Sequence, residues 1–122
     1  MIGALQLGSP VTGLHATGDG SFVAREPDWE RFAPCRVDDG TWGGAHADLA
    51  ASVQLLVEEL LVDLATWLHG RTGDRVLTMA GGIALNCVAN TRVLAESPFE
   101  EVWVQPAAGD AGTALGAALH VA

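Results

Sequence analysis

Two glycine-rich turns hold the residues whose types and spacing could do chemistry. The first, TMAGGIALNCVAN (78–90), places Gly81 and Gly82 directly after a short apolar run. Where such glycines open a helix, their amides can face a phosphate or acyl oxygen that no side chain blocks. Asn86 and Asn90 are four residues apart, so on a helix both amides would share one face, within reach of a ribose or substrate hydroxyl. The alternative is structural: the glycines allow tight packing, and the asparagines satisfy free backbone groups.

The second turn, PAAGDAG (106–112), carries a carboxylate with almost no side-chain bulk around it. Asp110 follows Gly109 and precedes Ala111 and Gly112. A hard cation that carries nucleotide phosphates suits such a carboxylate. The structural alternative is an N-cap of the last helix, with Asp110 bonding an amide near Thr113. The two roles are compatible.

Other polar residues do not form a recognisable catalytic set. The four histidines have no metal-ligand spacing and no H-x-x-x-H motif; they are His15, His46, His69 and His120. Glu58 and Glu59 fit a solvated helix face better than an acid/base pair. Ser52 or Thr78 as a nucleophile would need a base that the sequence does not place nearby. The catalytic residues therefore remain unassigned from the sequence.

The elements that position the two turns follow one another in a regular order. Helical spacing of leucines predicts a long amphipathic helix from Ala47 to His69, stopped by Gly70 and Gly73. After it the pattern predicts a strand buried on both faces, a helix, a second strand and a last helix, at 75–80, 83–97, 101–105 and 113–122. Alternating helices and strands are typical of an α/β fold with a parallel sheet. The loops after parallel strands gather at one edge, so both glycine turns should meet there.

Residues 1–45 have a different character. Glycines and prolines are dense there, which permits only short elements. The pattern predicts a turn that enters a strand at 18–24 and a short strand that ends in a turn at 35–40. We therefore expect a single incomplete domain over 1–122, with turn-rich strands over 1–45 and a helix-strand-helix-strand-helix nucleotide-binding lobe over 46–122.

Composition narrows the class of partner. The 122 residues have a formal charge of -9 and only six basic side chains, which argues against nucleic acid as a partner. The densest apolar segment carries Glu58, Glu59 and Asp63, so neither a membrane span nor a signal peptide is indicated. Cys35 and Cys87 form no C-x-x-C and suit a pair of reduced thiols. These features predict a cytoplasmic protein.

The second half of the chain resembles a known family. The stretch AGGIALNCVANTRVLAESPFEEVWVQPAAGDAGTALGAAL (80–119), with HADLAASVQ (46–54) before it, closely resembles part of the first domain of O-carbamoyltransferases from nodulation-factor and antibiotic tailoring. The resemblance is specific, because both turns occur in the family's order and at its separation. It assigns the chain to the carboxyl-terminal lobe of that domain, which is similar to threonylcarbamoyl-transfer enzymes. The implied fold is a partial ribonuclease-H-like lobe of the actin, heat-shock chaperone and sugar-kinase (ASKHA) fold.

The resemblance also implies an activity and a set of ligands. Such enzymes make carbamoyl adenylate from carbamoyl phosphate and ATP, then move the carbamoyl group onto a hydroxyl of a small molecule such as an antibiotic or sugar. Gly81, Gly82 and Asn86 match the nucleotide-contacting turn, with Gly109 beside it. Asp110 matches an aspartate that binds a divalent metal, usually described as iron.

Three features of the family are missing from this sequence. The family's metal site also uses two histidines in H-x-x-x-H, and neither the phosphate-binding hairpin of its first lobe nor its adenylate-forming domain has a counterpart here. The chain is therefore expected to be inactive alone and to need a missing lobe or complementary chain, with possible self-association through an exposed apolar face. The alternatives are a non-catalytic nucleotide-binding or interaction lobe, decayed or regulatory, and a kinase-type lobe of the same fold.

Overall fold

The computed structural model describes residues 13–25, 27–35 and 42–121. Its contacts divide the chain into two compact units, Met1–Leu60 and Leu61–Ala122, and the division falls inside the longest helix. We describe each unit by itself.

The first unit contains a small antiparallel hairpin. Strand β1 (His15–Ala16) pairs with β2 (Phe22–Val23), so the strand expected within 18–24 is present. In the connecting turn the Asp19 carboxylate accepts hydrogen bonds from the Thr17 hydroxyl at 2.5 Å and the Ser21 amide at 3.0 Å. These two bonds, the Thr17 bond first, lower the pKa of Asp19 because they stabilise the charged form. A short 3-10 helix follows at Trp29–Arg31. The strand predicted at 35–40 lies, beyond Cys35, outside the described residues.

Helix α1 (Gly44–Thr72) begins three residues before the predicted start. Its first turn is held by His46, whose Nδ1 accepts from the Gly43 amide at 3.1 Å. The other ring nitrogen, Nε2, lies 3.0 Å from the Pro34 carbonyl oxygen and donates to it in the neutral tautomer. This is the reciprocal half of a capping box, with histidine in place of the usual Glu or Gln. His46 is thus a capping residue of α1.

The end of α1 corrects one prediction. The helix runs through Gly70, which does not stop it, and ends before Gly73. Gly73 has φ +68°, and its amide donates to the His69 carbonyl at 2.8 Å. A glycine inside a long helix lowers stability by only about 1 kcal/mol relative to alanine. A glycine in the left-handed backbone conformation, by contrast, ends the helix. None of the helices in the described ranges, α1 included, is both long enough and apolar enough to cross a membrane.

The second unit is built on a parallel strand pair. Strands β3 (Val76–Met79) and β4 (Glu101–Val104) pair in register from Val76 opposite Glu101 to Met79 opposite Val104. Helix α2 (Cys87–Glu96) connects them, and α3 (Asp110–Val121) follows β4. The predicted α/β class and the parallel pairing are confirmed by this order.

One face of this sheet carries the core of the unit. Residues from α1, β3, α2 and the loop before β4 form it: Ala65, Leu77, Val93 and Phe99. On β3, Leu77 is buried and Met79 half-buried, but Val76 and Thr78 are exposed. The prediction that this strand is buried on both faces is therefore wrong. Among the residues that the structure describes, this sheet has two strands, and α1 and α2 supply apolar side chains to one side of it.

The helix predicted at 83–97 is divided in the structure. A 3-10 helix covers Gly82–Leu85, and α2 begins only at Cys87. Between them Asn86 has φ -78° and ψ 89°, which is not helical. The break occurs at a residue type that favours N-caps over helix interiors, because its short side chain bonds nearby backbone amides.

Candidate functional site

The two glycine turns meet at the carboxyl edge of the sheet. Because β3 and β4 are parallel neighbours, the chain leaves both strands on the same side, and the Gly81 amide donates to the Ala108 carbonyl at 2.7 Å. Together they line an open pocket of about 350 Å³. Its lining consists of Ala80, Gly81, Gly82, Gln105, Ala107, Ala108, Gly109, Asp110, Gly112 and Thr113. The predicted meeting of the turns is confirmed.

In the first turn, the backbone conformation requires glycine at Gly81, whereas Gly82 has open space where a side chain would lie. Gly81 has φ +99° and ψ 166°, a conformation essentially restricted to glycine. Since its amide bonds Ala108, it is not the free ligand donor that the sequence suggested. Gly82 opens the 3-10 helix, and a Cβ placed there would meet no atom within 4 Å. Gly82 therefore borders the open volume of the pocket.

The second turn is packed tightly. A Cβ on Gly112 would lie 2.3 Å from the Ala107 carbonyl oxygen, so only glycine fits without movement of the backbone. A Cβ on Gly109 would lie 3.2 Å from Cδ1 of Leu85, which brings the second turn against the 3-10 helix of the first. The small residues of this turn thus set the shape of the pocket wall.

Asp110 is the first residue of α3 and is exposed at the pocket. The Thr113 hydroxyl donates to the backbone carbonyl of Asp110 at 2.6 Å, whereas its carboxylate accepts no hydrogen bond from the described residues. The predicted N-cap bond to an amide near Thr113 is therefore not formed. A carboxylate in the first turn is nevertheless favoured by the positive end of the helix dipole.

The described residues do not complete a metal site around Asp110. No group of three or more His, Cys, Asp or Glu side chains in the described ranges could hold a metal ion. One carboxylate falls short of the several ligands that a divalent cation takes. The donor set therefore does not fit the iron site that the family resemblance implied, and no chemical step is assigned to a metal.

The two asparagines lie outside the pocket lining. Asn86 Oδ1 accepts from the Ala89 amide at 3.1 Å and caps α2. Asn90 Nδ2 donates to the Ala84 carbonyl at 2.8 Å, which ties α2 to the 3-10 helix. Asn90 Oδ1 is buried without a hydrogen-bond partner among the described residues. Both side chains therefore perform the structural role left open by the sequence, and Asn86 is not among the pocket residues.

Sequence reasoning missed two polar residues of the pocket, Gln105 and Thr113. Gln105 stands directly after β4, and its backbone amide donates to the Met79 carbonyl at 3.1 Å. A polar residue at the carboxyl end of a parallel strand is a recognisable signal for a ligand site. The signal was obscured because Gln105 closes an apolar run. Thr113 suggests only a helix-capping role when the sequence is taken alone.

Known proteins of several organisms match the chain. It is 46% identical over 89 residues to an uncharacterized protein, sll1178, of Synechocystis sp. The aligned region covers 73% of this chain and 14% of that protein. It is 45% identical over 74 residues to nodulation protein NolNO of Sinorhizobium fredii, an alignment that covers 61% of this chain and 11% of NolNO. The identity to nodulation protein NolO of Bradyrhizobium diazoefficiens is 43% over 76 residues, an alignment that covers 62% of this chain and 14% of NolO. The chain thus spans about one seventh or less of the length of these relatives.

A protein-family model described as "Carbamoyltransferase N-terminus" matches residues 29–119. The assignment to a carboxyl-terminal lobe, made from the resemblance, is wrong in this respect, because the matching region is the N-terminal domain. The match includes both glycine turns, the strands that end in them and the three α-helices over most of their length. This chain therefore belongs to the carbamoyltransferase N-terminus family.

Proposed function

We propose that this chain forms part of the ligand site of a carbamoyltransferase, with the pocket between its two glycine turns holding the phosphate side of ATP or carbamoyl adenylate. One observation carries the proposal: two turns that are separated in sequence by α2 and β4 meet in a pocket in which seven of the ten lining residues are alanine or glycine. Family membership makes carbamoyl transfer the relevant chemistry. An ASKHA-type fold for the complete domain is part of the same proposal.

The size of the pocket supports a partial nucleotide site. Its volume of about 350 Å³ is near the lower end of the roughly 300–1,000 Å³ typical of small-molecule sites. It suits a phosphate group and its neighbours better than a whole nucleotide. The first turn of α3, whose amides carry partial positive charge, lies at the same pocket and favours an anion.

The charge of Asp110 sets a condition on this binding. An exposed carboxylate repels phosphate oxygens unless a cation lies between them. We propose that Asp110 would be one ligand of a divalent cation in the assembled protein, where that cation would offset this repulsion, with its other ligands supplied from outside this chain. Whether that cation is iron depends on those ligands, since imidazole suits iron and carboxylates suit magnesium.

Within the complete protein, the role of this chain would be to position the donor. In carbamoyl transfer an acceptor hydroxyl attacks the carbamoyl carbon and loses its proton to solvent, a new C–O bond forms, and the C–O bond to the adenylate phosphate breaks as AMP leaves. Holding the phosphate side in place orients that carbon and lowers the entropic part of the barrier. The small-molecule acceptor, the adenylate-forming step and the missing lobe or complementary chain belong to the rest of the protein, which we place in the cytoplasm.

An NMR titration of the 15N-labelled chain with ATP tests the proposal, because it detects millimolar binding. In the wild type, ATP with Mg²⁺ should shift the amides of Gly82, Asp110 and Thr113 more than ATP without Mg²⁺. In Asp110→Asn the two titrations should converge, since the repulsion and the cation ligand are both removed. Asp74→Asn, which changes an exposed carboxylate outside the pocket, is the matched control.

The opposite outcome is equally informative. A folded wild-type chain whose pocket amides do not respond to ATP under either condition would reject nucleotide binding. It would favour the alternative of a non-catalytic interaction lobe.

A further inference from the structure

Gln105 lines the pocket from a fixed position at the end of β4. It is half-buried, it lines the pocket, and its backbone amide extends the β3–β4 hydrogen-bond ladder by bonding the Met79 carbonyl. Its side chain therefore starts from a fixed point on the sheet rather than from a mobile loop.

The side-chain amide of Gln105 has a defined orientation. Oε1 accepts a hydrogen bond from the Ala107 backbone amide, two residues further along the turn. Only the oxygen of a carboxamide can accept from an N–H group, so the chemistry of this bond fixes which side-chain atom is oxygen and which is nitrogen. The nitrogen Nε2, with two N–H donors, is then directed away from Ala107.

The other polar side chains of the pocket are not free donors. The Thr113 hydroxyl already donates to the Asp110 carbonyl, and an ionised Asp110 carboxylate can only accept. The remaining lining residues are alanines and glycines. No described residue accepts a hydrogen bond from Gln105 Nε2. Among the lining residues, Gln105 is therefore the side chain with donors left over for a ligand.

We propose that the Gln105 side-chain amide is the orienting donor of this pocket, binding a negatively polarised oxygen of the ligand. The inference rests on the proposed function and adds the class of ligand atom: a phosphoryl or carbamoyl oxygen, both acceptors without a hydrogen to donate. The Ala107 bond pre-sets the amide, so little side-chain entropy is lost when the ligand arrives. Gln105 thereby selects ligands that present an acceptor oxygen at this point.

The side-chain NH₂ signals of the wild-type chain give a direct test. The sequence has three glutamines, Gln6, Gln54 and Gln105, so the signals are few and easily assigned. Saturating ATP with Mg²⁺ should shift the Gln105 side-chain signals. Those of Gln54, whose Nε2 already donates to Glu58 Oε1 at 2.7 Å, should stay in place and serve as the internal control. If the Gln105 signals do not move while pocket backbone amides do, the inference is overturned and the proposed function stands.

A substitution separates the donor role from a purely structural one. Gln105→Glu keeps an oxygen that accepts from Ala107 but has no N–H donor. It should unfold at the same temperature as the wild type and bind ATP with Mg²⁺ about tenfold more weakly. Because the added charge also repels phosphate, the loss must persist at high salt, which screens charge. Equal affinity, or a loss that high salt removes, would overturn the inference.

Gln105→Met provides the complementary measurement. It lacks both the acceptor for Ala107 and the donor, so it should lower the thermal midpoint as well as the affinity. If the wild type itself does not bind ATP, the proposed function fails together with this inference. Wild-type binding with an unaffected Gln105→Glu variant rejects the inference alone.

Discussion

At the scale of single residues, the glycines of the two turns serve different physical purposes. Gly81 is required by its backbone conformation and Gly112 by the nearness of the Ala107 carbonyl oxygen. Gly82 has neither constraint, since a side chain there would meet open space beside the pocket. Under the proposed function, the lack of a side chain at Gly82 leaves volume for the ligand.

This difference predicts that a glycine-to-alanine substitution has different effects at Gly82 and at Gly112. Gly82→Ala should leave the free energy of unfolding nearly unchanged and weaken ATP binding several-fold, because its methyl group enters the pocket volume. Gly112→Ala should destabilise the chain by about 1–3 kcal/mol, because the backbone must move to relieve overpacking. Urea unfolding and NMR titration measure the two effects. Equal destabilisation by both substitutions would contradict the assignment of Gly82 to the pocket.

At the scale of elements, the start of α2 decides what the asparagines do. Asn86 interrupts the helix that the sequence pattern predicted, and its side chain caps the part that follows. The i, i+4 argument assumed that both asparagines lie inside one helix. Because Asn86 is the N-cap and Asn90 bonds back to Ala84, the two amides stabilise the turn that carries Gly82 instead of forming a shared polar face.

We expect Asn86→Ala to destabilise the chain by about 1 kcal/mol, the usual cost of losing an N-cap. Asn86→Asp keeps an acceptor for the Ala89 amide and adds a charge that suits the helix N-terminus, so it should retain stability. Urea unfolding of the two variants measures this difference. If Asn86→Asp keeps the stability but loses ATP binding in the NMR titration, Asn86 contacts the nucleotide as the family resemblance implied.

At the scale of the whole molecule, α3 is apolar and uncovered. None of its described side chains is buried, and Leu119 and Val121 are 71% and 85% exposed. Leu115 and Leu119 are four residues apart and share a face of the helix. We expect this face to be covered in the assembled protein, because a contiguous apolar surface favours association. The same exposure would drive self-association of the chain when it is produced alone.

Sedimentation velocity over a range of concentrations tests this expectation. The wild-type chain should show a sedimentation coefficient that rises with concentration, and Leu119→Glu should abolish the rise by placing a charge on the apolar face. Ala117→Glu adds the same charge on the opposite side of the helix and should have the smaller effect. A wild-type chain that stays monomeric at all concentrations would contradict the expectation.

The sequence alone determined the features that depend on local periodicity and on residue type. The leucine spacing of α1 follows the helical period of 3.6 residues, and the order of strands and helices and the α/β class follow from short apolar runs between glycine turns, all of which are visible without tertiary contacts. The parallel arrangement then placed both glycine turns at one edge. The motifs also carried the family assignment, which the match over residues 29–119 supports.

Tertiary structure decided which groups remain free to bind. The Gly81 amide was expected to be a ligand donor, but it bonds Ala108, a partner 27 residues away that no local pattern identifies. The side-chain donor that remains free in the pocket is that of Gln105, whose orientation depends on Ala107 and on the ladder to Met79. A hydrogen-bonding group can be assigned to a ligand only after its protein partners are known, and those partners lie on segments that folding brings together.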